Sequence, residues 1–188
     1  MKKHQIECEE KFFCTHSSEL ISFILNDLNF KLKEKLEEKD IYLKDKNNKY
    51  IQKNACLRVR KTNNAYLELT RKSAFNHNYQ LKKEKNIPFP IQKENRLFSL
   101  LNQIGISKYC IVHKQRTIYS KTNGNLIFNV VLDVINQETQ FLELEIVSFV
   151  VDDKLEVKLQ EFIALFSDFD LKKANINYRD FIINQIKS

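Results

Sequence analysis

Charged residues stand in this chain at the positions where a buried strand carries apolar side chains. In Ile6-Glu7-Cys8-Glu9-Glu10-Lys11-Phe12-Phe13, Glu7, Glu9 and Lys11 fall at every second place, and Ile6, Cys8 and Phe12 fill the other set. Successive side chains of a strand point to opposite faces, so the first three share one side of a sheet. The pattern returns four times. Arg58 and Arg60 alternate with Leu57 and Val59; Glu68, Thr70 and Lys72 with Leu67 and Leu69; Lys114 and Arg116 follow Ile111-Val112; Glu143 and Glu145 alternate with Leu142, Leu144 and Ile146. One such strand is an ordinary amphipathic edge. Five of them, carrying clusters of both signs, predict a charged concave surface.

A chain of 188 residues fits a single domain, 1–188, with room for a substantial core. No apolar run approaches the roughly 20 residues that a membrane helix needs, and Met1-Lys2-Lys3-His4 leads into a charged strand, not a signal-peptide core. A cytoplasmic protein without membrane contact is expected. Cys8, Cys14, Cys56 and Cys110 form no CxxC pair and read as small buried hydrophobes. The formal charge of +7 implies an anionic partner, and charge alone admits nucleic acid, acidic membrane or a phosphorylated metabolite. The lysines between Lys31 and Lys53 and from Lys82 to Lys85 argue against nucleic acid. The first group is interleaved with Glu34, Glu37, Glu38 and Asp40, the pattern of a solvated face.

Periodicity orders the elements. The hydroxyls of Thr15-His16-Ser17-Ser18 can cap a helix of Ser18 to Asn29, where Leu20, Phe23, Ile24 and Leu28 recur at helical spacing. Lys31 to Lys44 reads as a long strand, and Ala55 to Lys61 with Ala65 to Lys72 as a hairpin across Thr62-Asn63-Asn64. A fifth strand runs from Tyr79 to Ile87, with Pro88 and Pro90 expected to close it. A helix of Gln92 to Ile104 follows, ended by Gly105. Strands at Tyr109 to Ser120, Asn125 to Val134 and Gln140 to Val147 precede helices at Lys154 to Phe166 and Tyr178 to Ile186. An open sheet of about eight strands could leave its charged face in water. A closed barrel of that strand number would enclose side chains and one small ligand. Isolated buried charges cost several kcal/mol each, so an enclosed interior of both signs requires solvent, metal ions and an anion to balance it.

These residues resemble the CYTH superfamily, the triphosphate tunnel metalloenzymes, which includes thiamine and inorganic triphosphatases and class IV adenylate cyclases. Glu7-Cys8-Glu9-Glu10-Lys11 is similar to the family's acidic-x-acidic-x-Lys signature, and Leu57-Arg58-Val59-Arg60 to its paired-arginine strand. Leu69-Thr70-Arg71-Lys72 and Lys114-Gln115-Arg116 are similar to its basic strands, and Asp133 and Glu143-Leu144-Glu145 to its carboxylate strands. Tyr178 stands where a closing aromatic is expected, and Lys82 with Glu84 resembles a basic-x-acidic pair. Lys44 stands where the family often has a second aspartate, with Asp45 one residue late. The resemblance implies an α+β fold: an eight-stranded antiparallel β-barrel, the triphosphate tunnel, with flanking helices.

It also implies roles. Arg58, Arg60, Lys72, Lys114 and Arg116 would bind a small-molecule triphosphate, since guanidinium groups grip phosphate in a bidentate manner and ammonium groups act as point charges. Glu7, Glu9, Asp133, Glu143 and Glu145 would hold Mg2+ or Mn2+, hard cations that prefer carboxylate oxygen. Lys11, Glu145 and Arg58 would act in catalysis. The expected reaction is metal-dependent hydrolysis of inorganic triphosphate, thiamine triphosphate or a nucleoside triphosphate. The alternative is a class IV adenylate cyclase, which Lys39-Asp40-Ile41-Tyr42-Leu43 somewhat resembles, although His4-Gln5 stands near the place of the His-Phe pair common in that branch. A third reading, non-catalytic capture of polyphosphate, sits poorly with so many retained acids. A homodimer is left open.

Overall fold

The computed structural model describes residues 6–49, 55–75, 78–150 and 153–187, apart from the side chains of 73–83 and 187; His4 and Gln5 lie outside it. Nine strands form one antiparallel sheet: β1 (Ile6–Phe13), β2 (Lys31–Asp45), β3 (Cys56–Thr62), β4 (Tyr66–Phe75), β5 (Asn78–Pro90), β6 (Ile106–Asn123), β7 (Leu126–Ile135), β8 (Thr139–Ser148) and the two-residue β9 (Lys172–Lys173). Their order is β5-β4-β3-β2-β6-β7-β8-β1-β9. The sheet is not a fully laddered cylinder. Its two ends meet in a short seam where Ile6, Glu7 and Cys8 of β1 pair with Lys83, Lys82 and Leu81 of β5.

Eight long strands thus surround a tunnel, and alternation assigns their faces. Glu7, Glu9 and Lys11 point inward from β1, and Cys8 and Phe12 point outward into a core with Leu142, Leu144 and Ile146 of β8. That core is covered by α1 (Ser18–Ser22), which continues as a wider π-type turn through Asp27, and by α3 (Leu155–Ala164). Ser17 caps α1 by accepting from the Leu20 amide at 3.1 Å. On the other side, Leu57, Val59 and Leu67 pack under Leu97 and Leu101 of α2 (Glu94–Gln103). The α4 helix (Tyr178–Lys187) lays Tyr178 and Ile182 against Tyr42, Cys110, Val112, Ile135 and Phe141, an apolar group at one end of the interior.

The predicted long strand over Lys31 to Lys44 forms as β2. The first helix is shorter than its apolar spacing implies, because Asn29 adopts φ 55° and turns the chain toward β2. The prolines do not close the fifth strand, which runs on through Pro88, opposite Glu68, to Pro90, opposite Tyr66. At that end β5 pairs with β4 alone, so the missing proline N–H removes no ladder bond. Asparagine replaces glycine in the turns: Asn63 and Asn64 take φ 49° and 53° between β3 and β4. Among the described residues, no helix is long and apolar enough to cross a membrane.

Candidate active site

The interior is a cavity of about 900 Å3, lined among the described residues by side chains from all eight long strands and by the segment leading into α4. Arg58, Arg60, Lys72, Lys114 and Arg116 all reach its wall, as do Lys11, Glu7, Glu9, Glu143 and Glu145. Their convergence follows from parity: on β1, β3 and β8 the apolar outward residues beside them lie in the outer cores, whereas beside Lys72, Lys114 and Arg116 the outward neighbours Arg71, His113 and Gln115 are exposed.

One group of carboxylates gathers at β1 and β8, where Glu9 stands opposite Glu145 in the ladder. Oxygens of Glu7, Glu9 and Glu145 lie within 4.8 Å of one another. Burial first, then repulsion from Glu7, Glu9 and Glu143, pushes the Glu145 carboxyl up to about 8, against the pull of Lys72. Burial likewise raises Glu7, assisted by Glu84 and Glu9 and opposed by Lys72. Lys72 Nζ sits 3.0 Å from Glu7 Oε2 and 2.9 Å from Glu9 Oε2, and Asn129 donates to Glu145 Oε2 at 2.8 Å. Ser120 in turn donates to Asn129 Oδ1. Three like charges crowded in this way suit a hard divalent cation, which would relieve the repulsion that one ammonium only partly offsets.

The second group holds the cations. Asp40 is fully buried and accepts from Arg60 Nε at 2.7 Å and Nη2 at 2.9 Å, with Arg58 Nη1 at 3.5 Å and Lys114 Nζ at 3.4 Å. Glu38 meets Arg60 Nη1 at 2.8 Å and Lys114 Nζ at 2.7 Å. Glu84 lies 3.4 Å from Lys72 Nζ and 3.7 Å from Arg58 Nη2; against the burial that raises it, these two cations draw its carboxyl down to about 2. Burial, with repulsion from Arg116 and Arg60, lowers the Lys114 ammonium despite Asp40 and Glu38. Among the described residues, Arg58 Nε is buried without a hydrogen-bond partner. An anion in the cavity could engage that donor, since an orphaned buried N–H is costly.

The expected metal set divides. Asp133 is fully buried behind the Arg116 guanidinium, which it grips at 2.7 and 2.5 Å, and also accepts from Tyr178 Oη at 2.6 Å. Glu143 is bound to Lys11 Nζ at 2.7 Å and lies 3.6 Å from Arg116 Nη2. The Tyr178 ring lies 4.2 Å from Lys11 Nζ, so α4 closes over this layer. Lys82's side chain lies outside those described.

One expectation is corrected outright. Glu38 and Asp40 do not belong to a solvated face; they are buried, and they pair with four of the five predicted phosphate-binding cations, Arg58, Arg60, Lys114 and Arg116. A signal was present, since Glu38, Asp40 and Tyr42 alternate with Ile41 and Leu43 just as the charged positions of β1 do. Asn129 was also missed. It shares the inward parity of Asp133 on β7.

The CYTH domain model matches residues 5–175 of this sequence. The chain belongs to the CYTH family, whose members include triphosphatases. No curated protein matches it in sequence. Among solved structures, the PH1819 protein of Pyrococcus horikoshii is similar at 18% identity, covering 95% of this chain and 99% of its own, with a TM-score of 0.74. A Vibrio parahaemolyticus protein provisionally named an adenylate cyclase is 18% identical over 96% of this chain and 99% of its own, with a TM-score of 0.71. The HpAC1 protein of Hippeastrum, described as having a dominant triphosphatase activity, is 14% identical over 98% and 96%, with a TM-score of 0.67. At these identities the likeness establishes the fold.

Proposed function

We propose that the protein is a metal-dependent triphosphatase in which water attacks the terminal phosphorus of a triphosphate held inside the tunnel. The observation that carries this reading is the gathering of two unlike groups on the wall of one cavity: five strand-borne cations, and three carboxylates whose oxygens lie within 4.8 Å. A triphosphate bears about four negative charges, which matches several fixed cations, and binding an anion alone would be hindered by the acidic trio.

Glu7, Glu9 and Glu145 would hold the ion. When bound, a divalent metal such as Mg2+ or Mn2+ supplies positive charge to phosphoryl oxygens and lowers the pKa of water. The chain's own residues do the rest. Arg58, Arg60, Lys72, Lys114 and Arg116 fix the phosphates and receive the negative charge that develops on the leaving oxygen. Asp40, Glu38 and Asp133 act from behind, keeping the guanidinium and ammonium groups aimed inward. Lys11, paired with Glu143, stands beside the acidic trio, where it can orient a carboxylate or contact the reacting phosphate.

The test is turnover of inorganic triphosphate, thiamine triphosphate and ATP with Mg2+ or Mn2+, with products identified. Free phosphate is expected; cyclic AMP with pyrophosphate would overturn hydrolysis in favour of cyclisation. Arg58→Ala and Glu145→Gln should each lower turnover by roughly a hundredfold or more, the scale of losing one preorganised electrostatic group, and EDTA should abolish it. Unchanged turnover in either variant would refute the site.

A further inference from the structure

Beyond the charged zone the cavity wall changes character. The inward positions of β6, β7 and β8 that carry Arg116, Asp133 and Glu145 continue, two and more residues along, as Ile118, Val131, Ile127 and Val147, and Phe149 extends the same parity past the end of β8. All five line the same cavity as the cations. Ile127 stands opposite Val147 in the ladder, so their side chains are neighbours on one face. Phe149 is 42% exposed, a large apolar ring left in contact with solvent. Apolar side chains lining one wall of a polyanion cavity are of no use to free triphosphate, whose surface is charged throughout. Ligand sites of this kind serve a mixed ligand, with fixed polar groups for one part and an apolar wall for the other.

Charge at this mouth narrows the ligand further. The β2–β6 ladder slips between Leu32 and Glu34, and the residue at that bulge, Lys33, lines the cavity. Bulges re-aim side chains. A cation at the mouth attracts phosphate but repels a ring with fixed positive charge, and an ammonium is compatible with the face of a neutral aromatic ring.

Resting on the tunnel reading above, we infer that the substrate is a triphosphate ester with a neutral aromatic ring, of the nucleoside kind, and that the wall of Ile118, Ile127, Val147 and Phe149 binds the ring. These residues set specificity and take no part in bond cleavage. A ring laid on this wall removes the exposed face of Phe149 from water and gains offset stacking.

Equilibrium binding by calorimetry in EDTA, where no turnover occurs, tests this with ATP, thiamine triphosphate and inorganic triphosphate as probes. The wild type should bind ATP more tightly than thiamine triphosphate, and Phe149→Ala should lower the ratio of ATP affinity to inorganic triphosphate affinity about tenfold. Phe149 is partly exposed, so this substitution leaves the core intact; Ile127→Asn is the second variant and should move the ratio in the same direction. A ratio unchanged within twofold in both variants overturns the ring subsite, as does tighter binding of thiamine triphosphate than of ATP. Arg58→Ala separates the two levels of inference. If it weakens ATP and inorganic triphosphate alike while the Phe149→Ala ratio stays fixed, the ring wall alone falls; if it weakens neither, the tunnel reading falls with it.

Discussion

Glu145 stands in a conflict that its neighbours only partly relieve. Burial and the charges of Glu7, Glu9 and Glu143 all favour its protonated form, against the pull of Lys72, and together they push this carboxyl up to about 8. The usual value for the unfolded chain is 4.5, and between these two pH values the native state binds more protons than the unfolded one. This group's contribution therefore makes the protein less stable as pH rises from 4.5 to about 8, and a divalent cation removes the penalty. In EDTA, the melting temperature of the wild type should fall more steeply from pH 6 to 9 than that of Glu145→Gln, and the variant should be the more stable of the two at pH 9. Parallel curves would show that the carboxylates do not interact in this way. Glu84 has the opposite sign: drawn down to about 2, it contributes stability that is present above 4.5 and lost as pH falls through its folded value. The candidates on β1, β3 and β8 were readable because charged residues alternate with largely apolar ones; Lys72, Lys114 and Arg116, flanked by Arg71, His113, Gln115 and Thr117, were readable chiefly from the family resemblance. Asp40 was not, since Lys39 and Lys44 flank its stretch and make the local composition look solvated.

At the level of elements, each long strand brings one to three inward-facing charged groups and the helices set how far they are enclosed. The α1 and α3 helices cover the outer face of β1, β7 and β8, and α2 covers that of β2, β3 and β4, so apolar burial on the outside holds inward charges in place. The α4 helix differs, since it packs at the end of the interior and reaches the charge network through Tyr178. Its hydroxyl donates to Asp133 beside the Arg116 pair, a hydrogen bond to a charged group worth about 1.5–3 kcal/mol. Tyr178→Phe should lower the unfolding free energy by roughly that amount, measured by urea denaturation with the slope unchanged; a loss under about 0.5 kcal/mol would mean that Arg116 alone holds Asp133. The docking of α4 was legible only as a helix. Its apolar residues and lone tyrosine have the spacing of an ordinary surface helix, and nothing in that spacing tells whether the covered face belongs to the outside of the sheet or to the mouth of its interior.

For the whole molecule, the interior is a set of charges of both signs held in place before any ligand arrives. Removing the partner of a buried charge is strongly unfavourable, so the acids behind the cations stabilise the empty protein and a phosphate must compete with them. A ligand that binds only the folded tunnel adds RT ln(1 + [L]/Kd), about 2.7 kcal/mol at a hundredfold excess over Kd. For a chain of this length that corresponds to roughly 5–10 °C. Inorganic triphosphate should raise the melting temperature by this order, and orthophosphate at the same concentration by much less; equal shifts would mean general anion binding to a basic protein.

Parity along a strand is a local property, dictated by backbone geometry, and it already separates the residues that face the tunnel from those that face the outer cores. Partner choice inside the tunnel is not local. Asp40 meets Arg60 in the adjacent ladder, but also Lys114 from the strand on its other side, and Lys72 crosses from β4 to Glu7 and Glu9 on β1. Such contacts depend on how far the sheet curls and where its ends meet, quantities summed over eight strands that no single segment encodes. Hence the inward charges could be named from the chain, while the division between an acidic trio clustered within 4.8 Å and acids that brace the cations emerged only once the strands were wrapped around a common space.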